Sequence, residues 1–491
     1  METANAQPPF KLDHLEAYIQ SMMEQWHIPG LSLAIVKDGN PVVIKGYGTK
    51  ESDKDLPINQ HTLFPISAGT RLFTASAIAL LVVEEKLEWG EHLTQVMTAL
   101  NTGSLVINEQ ATVLDALAER IGLPMGLAAC ASNPQVSRAE LLSRLRYITK
   151  PNGFRDGQGS GLLLSMAAGE IIPALTGISW DDFVQKRLFK PLGMTSSLTS
   201  PLLLHTCNNV ASPHERVGQK LVPIPPMMSH NLGGAFSIYS CAADMAKWLQ
   251  FQLDNGTVTN AKGERQVLIP PLQIEAMRNI HMATALGLKG FIPELSGYGL
   301  GSLVLTSHNG YRVYCTGGDT EGTESFYGFI PEINLGIAVL VNTHQAVPHG
   351  LLPWILDRFT GAPERDWVAE ILQRAEARKA SKNQVLAKQK AMLTQPSCPP
   401  SLPLGNYAGI YQHPYLGEFT VRQTGQGLSY TFGEIWQGEL PHANHNTFYR
   451  EPVEPAFHRS QFKGPLRFNL SFEGTVESLT IPEGSFQKLT A

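Results

Sequence analysis

Apolar residues at Leu12, Leu15, Ile19, Met22 and Trp26 recur at helical spacing and stop before Pro29, which predicts an amphipathic N-terminal helix. Two β-rich runs then flank Asp38-Gly39-Asn40, a hairpin signal. The dominant pattern lies in FPISAGTRLFTASAIALLVV, from Phe64 to Val83. Its first residues read as a short strand and Ala68-Gly69 as a small-residue turn. From Leu72 to Val83 the chain is apolar or small on every face, which predicts a helix buried all round. About 12 residues are too few to cross a bilayer, and Arg71 and Glu84 bracket them. The turn therefore leads into the N-terminus of a buried helix, where unpaired backbone N–H groups can hold an anion.

Near Pro363 the character changes. DWVAEILQRAEARKASKNQVLAKQKAML is charged and helical, with too few apolar positions for a core helix, and QPSCPPSLPL reads as a Pro/Ser linker. Beyond Gly405 come short alternating runs, GEFTVRQ, LSYTFG, NTFYRE, LRFNLSFE and VESLTIP, separated by Gly, Pro and Asn turns. They predict an antiparallel β-barrel or sandwich. The expected division is 1–362, a charged helix and linker over 363–403, and a β domain over 404–491.

Composition narrows the class. A chain of 491 residues with 43% hydrophobic and 16% charged residues has ample material for two globular domains. A net charge of −5 gives no reason to expect nucleic acid or an anionic membrane as partner. The N-terminus lacks the basic and apolar regions of a secretory signal. Five cysteines without CxxC pairs suit reduced thiols, so a cytoplasmic location is expected. No cofactor is expected. His442 and His445 form an HxxH without companion ligands, so a metal is not expected either.

The Phe64–Ala75 stretch resembles the active-site motif of the serine β-lactamase and penicillin-binding-protein superfamily, in particular its class C β-lactamase, esterase and D-aminopeptidase branch. That motif runs close to F-P-I-x-S-x-x-K-x-F-T-A. Further matches follow in order: TVLDALAERIGLP, in which Glu119 and Ile121 replace the usual His and Ser; the PLGM landmark within RLFKPLGMTSS; YGLGS from Tyr298; and FIPEINLGIAVLVN from Phe329. The resemblance implies an α+β fold: a β-lactamase/transpeptidase-like domain with an antiparallel sheet, flanking helices and an all-helical lobe. It also implies a C-terminal lipocalin-like barrel.

Carried over residue by residue, the family's reactive positions are altered. Ala68 stands at the nucleophilic serine and Arg71 at the lysine. Ser160 stands at the tyrosine of the second motif, with Leu162 at its asparagine. Thr316 stands at the lysine or histidine of the third motif, with Gly317 and Gly318 after it; a one-residue slip would put Cys315 there. Ala68 offers no oxygen, and an arginine stays protonated at any working pH, so ordinary acyl-serine chemistry is not expected. Ser67 reads as a turn residue bonded to local backbone.

What survives, by the resemblance, is an oxyanion site made of the Ala68 and Asp319 backbone N–H groups. Arg71 adds a cation, expected to face an anionic ligand or a carboxylate such as Asp319 or Glu321, and Asp319, Glu321 and Glu324 are candidate bases. Arg71, Ser160, Thr316 and Asp319 are the candidate catalytic residues. Ser67, Ala68, Thr70, Tyr298, Cys315, Gly317 and Gly318 are candidates for substrate binding. Two function classes compete. One is a repurposed enzyme acting on a small organic, polyketide-like substrate by cyclisation, isomerisation or elimination. The other is a non-catalytic protein that binds a ligand or partner. An atypical hydrolase or acyltransferase is a third possibility. The partner expected is a small-molecule substrate, with no nucleic acid and no membrane; the oligomeric state is open.

Overall fold

A computed structural model of the chain describes residues 12–123, 133–148, 153–157, 161–218, 220–259, 262–284, 296–363, 365–394, 398–433, 436–452 and 463–489. The N-terminal periodicity forms α1 (Leu12–Trp26). The hairpin joins β1 (Gly30–Lys37) to β2 (Asn40–Gly48). Asp38 and Gly39, at φ 53° and 78°, form its turn. Positive φ at both positions matches the right-handed twist of the strands they connect.

Six later strands complete the sheet: β3 (Met282–Ala283), β4 (Gly297–Tyr298), β5 (Leu303–Thr306), β6 (Arg312–Thr320), β7 (Thr323–Ile330) and β8 (Leu335–Val341). Their order is β2–β1–β8–β7–β6–β5–β4–β3, and every neighbouring pair is antiparallel. The central strands β1, β7 and β8 are buried almost throughout, because both faces of the sheet are covered. On the outer face α1 and α5 (Val347–Thr360) enclose a core that includes Leu15, Ile19, Leu33, Cys315, Phe326 and Leu351.

The inner face packs against the helical lobe, around α2 (Thr70–Val83) and α3 (Gly161–Thr176). The sequence expectation for α2 holds closely. Leu72 to Leu81 is buried without interruption, and the helix begins two residues earlier than the apolar run. Phe73 stacks on Trp248 at 3.7 Å between ring centroids and meets Phe189 edge-on at 5.8 Å. Thr74 Oγ1 donates to the Gly234 carbonyl (2.6 Å) and accepts from the Trp180 indole (3.0 Å), so this buried hydroxyl is satisfied.

The charged segment is α6 (Trp367–Thr394), a helix of 28 residues whose first turns bury Trp367, Val368 and Leu372 while most of its remaining described positions are exposed. The alternating C-terminal runs form a closed antiparallel barrel of eight strands, the lipocalin-like form expected. Closure comes from Gly438 and Glu439 pairing with Pro452 and Glu451. A ninth short strand, His442–Asn444, pairs beside Thr447–Pro452. Aromatic side chains fill the interior, with Phe419, Phe432 and Phe486 in mutual contact. The barrel touches the helical lobe where Arg144 Nη1 donates to the Tyr415 carbonyl at 3.5 Å. Among the described residues no single helix is long and apolar enough to cross a membrane, and no group of His, Cys, Asp and Glu is arranged to hold a metal.

Phe73 is fully buried, so Phe73→Ala is expected to destabilise the protein by about 3–5 kcal/mol, the usual effect of deleting a buried phenyl ring. Chemical denaturation monitored by far-UV circular dichroism measures this as a lower midpoint.

Candidate active site

The expected site is a 3-10 turn, Ser67–Gly69, that opens directly into α2 and lies against β6 and β7. Close contacts fix it there. Tyr327, on β7, donates its hydroxyl to the Gly69 carbonyl at 2.7 Å. A Cβ at Gly69 would lie 2.7 Å from the same ring, so only glycine permits this approach. Across the turn, a Cβ at Gly318 would lie 3.1 Å from the Ala68 Cβ and 3.2 Å from the Ala68 nitrogen. Ala68 and the strand position beside Asp319 are thus brought together.

Strand alternation separates the third-motif candidates. Val313 and Cys315 belong to the outer core, whereas Tyr314 packs with the inner core. Thr316 pairs with Tyr327, whose ring is in the inner core, and therefore lies on the side of the turn. Cys315 is buried on the opposite face, and burial pushes its thiol well above the ordinary range. Gly317 pairs with Phe326 of the outer core. The same alternation puts the Asp319 side chain outside, where its carboxylate lies 3.6 Å from His344 Nε2.

Glu324, cross-strand from Asp319, is buried on that outer side and lies 3.3 Å from His349 Nε2. It also accepts from the Ala346 N–H. Burial alone would raise its carboxyl, but the bond to His349, the His349 and His344 charges and the Ala346 N–H hold it below the usual range. Both acids are partnered on the far side of the sheet from Ala68. Glu321 is buried in the β6–β7 turn, close enough to Tyr239 to raise its phenol further after burial has done so.

Arg71 departs from expectation. Its anion is neither a ligand nor Asp319 or Glu321. Arg71 Nη1 donates to Glu119 Oε1, and the Tyr298 hydroxyl donates to the same oxygen at 2.8 Å. The two charged side chains are 15% and 2% exposed. Burial opposes the Arg71 charge, but Glu119 and Tyr298 outweigh it and hold the guanidinium above its ordinary value. Burial pushes the Tyr298 phenol far up, and Glu119 adds to it, so Tyr298 is a neutral donor at working pH.

Glu119 sits at φ 57°, just past a short helix, Val113–Leu117, that opens with a capping box between Thr112 and Asp115. The left-handed backbone turns its side chain inward. A Cβ at Gly161 would lie 2.0 Å from the Glu119 carboxyl carbon, so the carboxylate occupies the space beside the first residue of α3. Sequence reading noted Glu119 as a replaced histidine without assigning it to the site. The signal was there: the lysine position keeps its cation as Arg71, while the histidine position gains an anion as Glu119, so the two can pair.

The remaining candidates are structural or unplaced. Thr70 is buried, and its hydroxyl accepts from the Ile238 N–H at 3.2 Å. Ser67 has φ 51°, and its buried hydroxyl has no hydrogen-bond partner among the described residues, unlike the backbone-bonded turn residue expected. Left-handed geometry carries its Oγ into the packed interior instead of back along the turn. Ser160 lies outside the described residues, while Leu162 lies in the first turn of α3.

The sequence family model for Beta-lactamase matches residues 15–361. The chain belongs to the Beta-lactamase family. A domain of unknown function, DUF3471, matches residues 394–490. Among similar proteins, the Beta-lactamase family chain is 24% identical over 445 residues to "Unguisins hydrolase ungD'" of Aspergillus campestris (strain IBT 28561), covering 86% of this chain and 79% of that one. It is 25% identical over 343 residues to "Protein flp" of Staphylococcus aureus (strain MRSA252), with 67% and 63% covered, so it spans less than two thirds of that relative. The fold is shared with the octameric penicillin-binding protein homologue from Pyrococcus abyssi, at TM-score 0.63 and 20% identity, over 97% of this chain and 100% of that one. The crystal structure of SurE is similar at TM-score 0.56 and 18% identity, over 97% and 98%.

Two measurements follow from this geometry. Arg71→Met strands the Glu119 carboxylate and is expected to cost about 3–5 kcal/mol without any ligand present, whereas Arg71→Met/Glu119→Leu recovers most of it; thermal melts of the three proteins provide the comparison. Glu324 has a depressed carboxyl in the folded state, so its contribution is fully present above the unfolded value of about 4.3 and is lost as pH falls through the folded one. The stability gap between wild type and Glu324→Gln should therefore hold from about pH 6 to 5 and close below about pH 4, as read from urea midpoints.

Proposed function

We propose that this Beta-lactamase family protein has left acyl-serine chemistry and acts on a small organic substrate of the secondary-metabolite kind. The observation that carries this reading is the pairing of Arg71 with Glu119 beside Ala68. The residue at the nucleophile position has no oxygen, and the residue at the base position is a guanidinium already engaged by a buried carboxylate. Neither half of a hydrolytic acylation is available there.

Two backbone donors remain as chemical resources, the Ala68 and Asp319 N–H groups. Aimed at a carbonyl, they would stabilise negative charge developing on its oxygen, as in an enolate. Cyclisation, isomerisation or elimination within the substrate uses such stabilisation without a covalent enzyme intermediate. Similarity to an unguisins hydrolase supports a small organic substrate.

The test is metabolite profiling by mass spectrometry of culture extracts incubated with and without the purified protein. A product of unchanged or water-depleted mass is expected. An unchanged profile, with a ligand retained after dialysis, would favour the non-catalytic binding protein instead. Hydrolysis products together with fluorophosphonate labelling at Ser67 would restore a serine hydrolase and sink the reading. For the same reasons Ala68→Ser alone is expected to form no measurable acyl-enzyme with a generic aryl ester, because Arg71 and Thr316 cannot take the proton. Intact-protein mass spectrometry would detect the adduct if it formed.

A further inference from the structure

Resting on the reading that a small organic molecule occupies the turn, we infer that the site takes an uncharged carbonyl compound, such as an ester, lactone or amide, and excludes carboxylates, and that Glu119 sets this preference by lying on Arg71. Arg71 is one helical step from Ala68 and would by itself be a carboxylate receptor, since its planar fork matches two oxygens. Glu119 already holds it, with Tyr298 bonded to the same carboxylate oxygen. The pair is neutral overall and largely out of solvent.

A carboxylate ligand reaching the guanidinium would sit beside the Glu119 oxygens, and like charges at that range disfavour it. The Glu119 carboxylate is also packed against Gly161 and bonded by Tyr298, so a competing ligand would have to displace it from both contacts. Asp319 and Glu324 lie across the sheet and are paired with His344 and His349, so they supply no cation to the turn in place of Arg71. An uncharged carbonyl needs no counter-ion. Backbone N–H dipoles suffice to hold it.

The experiment measures thermal stability of the full chain in rising sodium acetate at constant ionic strength, for wild type and for Glu119→Gln. Wild type is expected to show no acetate-dependent shift. Glu119→Gln leaves Arg71 without its anion, and its melting temperature should rise with the logarithm of acetate concentration, as for any ligand bound only by the folded state. Acetamide serves as the neutral control and should leave the difference between the two proteins unchanged.

If Glu119→Gln does not fold, Glu119→His removes the same charge with a ring that tolerates the left-handed backbone. Should neither variant fold, the wild-type response still decides: an acetate-dependent rise abolished in Arg71→Met/Glu119→Leu would overturn the inference, and a flat response supports it. A variant that folds yet gives no acetate response would also overturn it, since Arg71 would then be out of reach of any ligand. None of these readouts depends on turnover. Failure of the metabolite assay with the acetate pattern intact would remove the enzyme and leave the charge preference of the site standing.

Discussion

The molecule depends on how closely the Ser67–Gly69 turn is pressed against the sheet. Gly69 under the Tyr327 ring leaves no room for a methyl group, and Gly318 sits tightly against Ala68. These contacts bring the N-terminus of a largely buried helix onto the middle strands of an eight-stranded sheet. The layers on either side follow from that seating. The inner core forms around α2, while α1 and α5 cover the outer face. This seating does not depend on the side chain at position 68, because it rests on glycine packing.

Within this frame the site is marked by a buried ion pair. Where the superfamily resemblance places a lysine and a histidine, the chain has Arg71 and Glu119, joined through one carboxylate oxygen that Tyr298 also serves. A buried pair of this kind contributes little net stability relative to apolar residues of similar size, because desolvation offsets the attraction. Its effect is to fix geometry and cancel charge.

Much of the architecture was legible in the sequence because its signals were local. The helical spacing of Leu12 to Trp26, the Asp38-Gly39 turn, the apolar or small Leu72–Val83 run and the alternating C-terminal segments are each legible from local pattern alone. The site was less legible. Thr316 and Cys315 are adjacent in sequence and face opposite sides of the sheet, so a single-residue slip moves the reading from the turn to the outer core. Glu119 reaches Arg71 across 48 residues, from a left-handed position that no propensity anticipates. Asp319 looked available as a base because its loop context hides that its side chain leaves on the far face.

The left-handed backbone at Glu119 also bears on reversibility. Arg71, Glu119, Tyr298 and Gly161 form one fitted unit, in which the carboxylate fills the space beside α3 and balances the Arg71 charge. Replacing Glu119 by a neutral side chain strands a buried guanidinium, and enlarging Gly161 collides with the carboxylate. Regaining a serine and a base would thus require several positions to move together, with the intermediate sequences less stable than either end. In a chain of ordinary marginal stability, such intermediates are removed by unfolding before any activity could favour them. The ion pair thus couples any change at position 71 to a change at position 119.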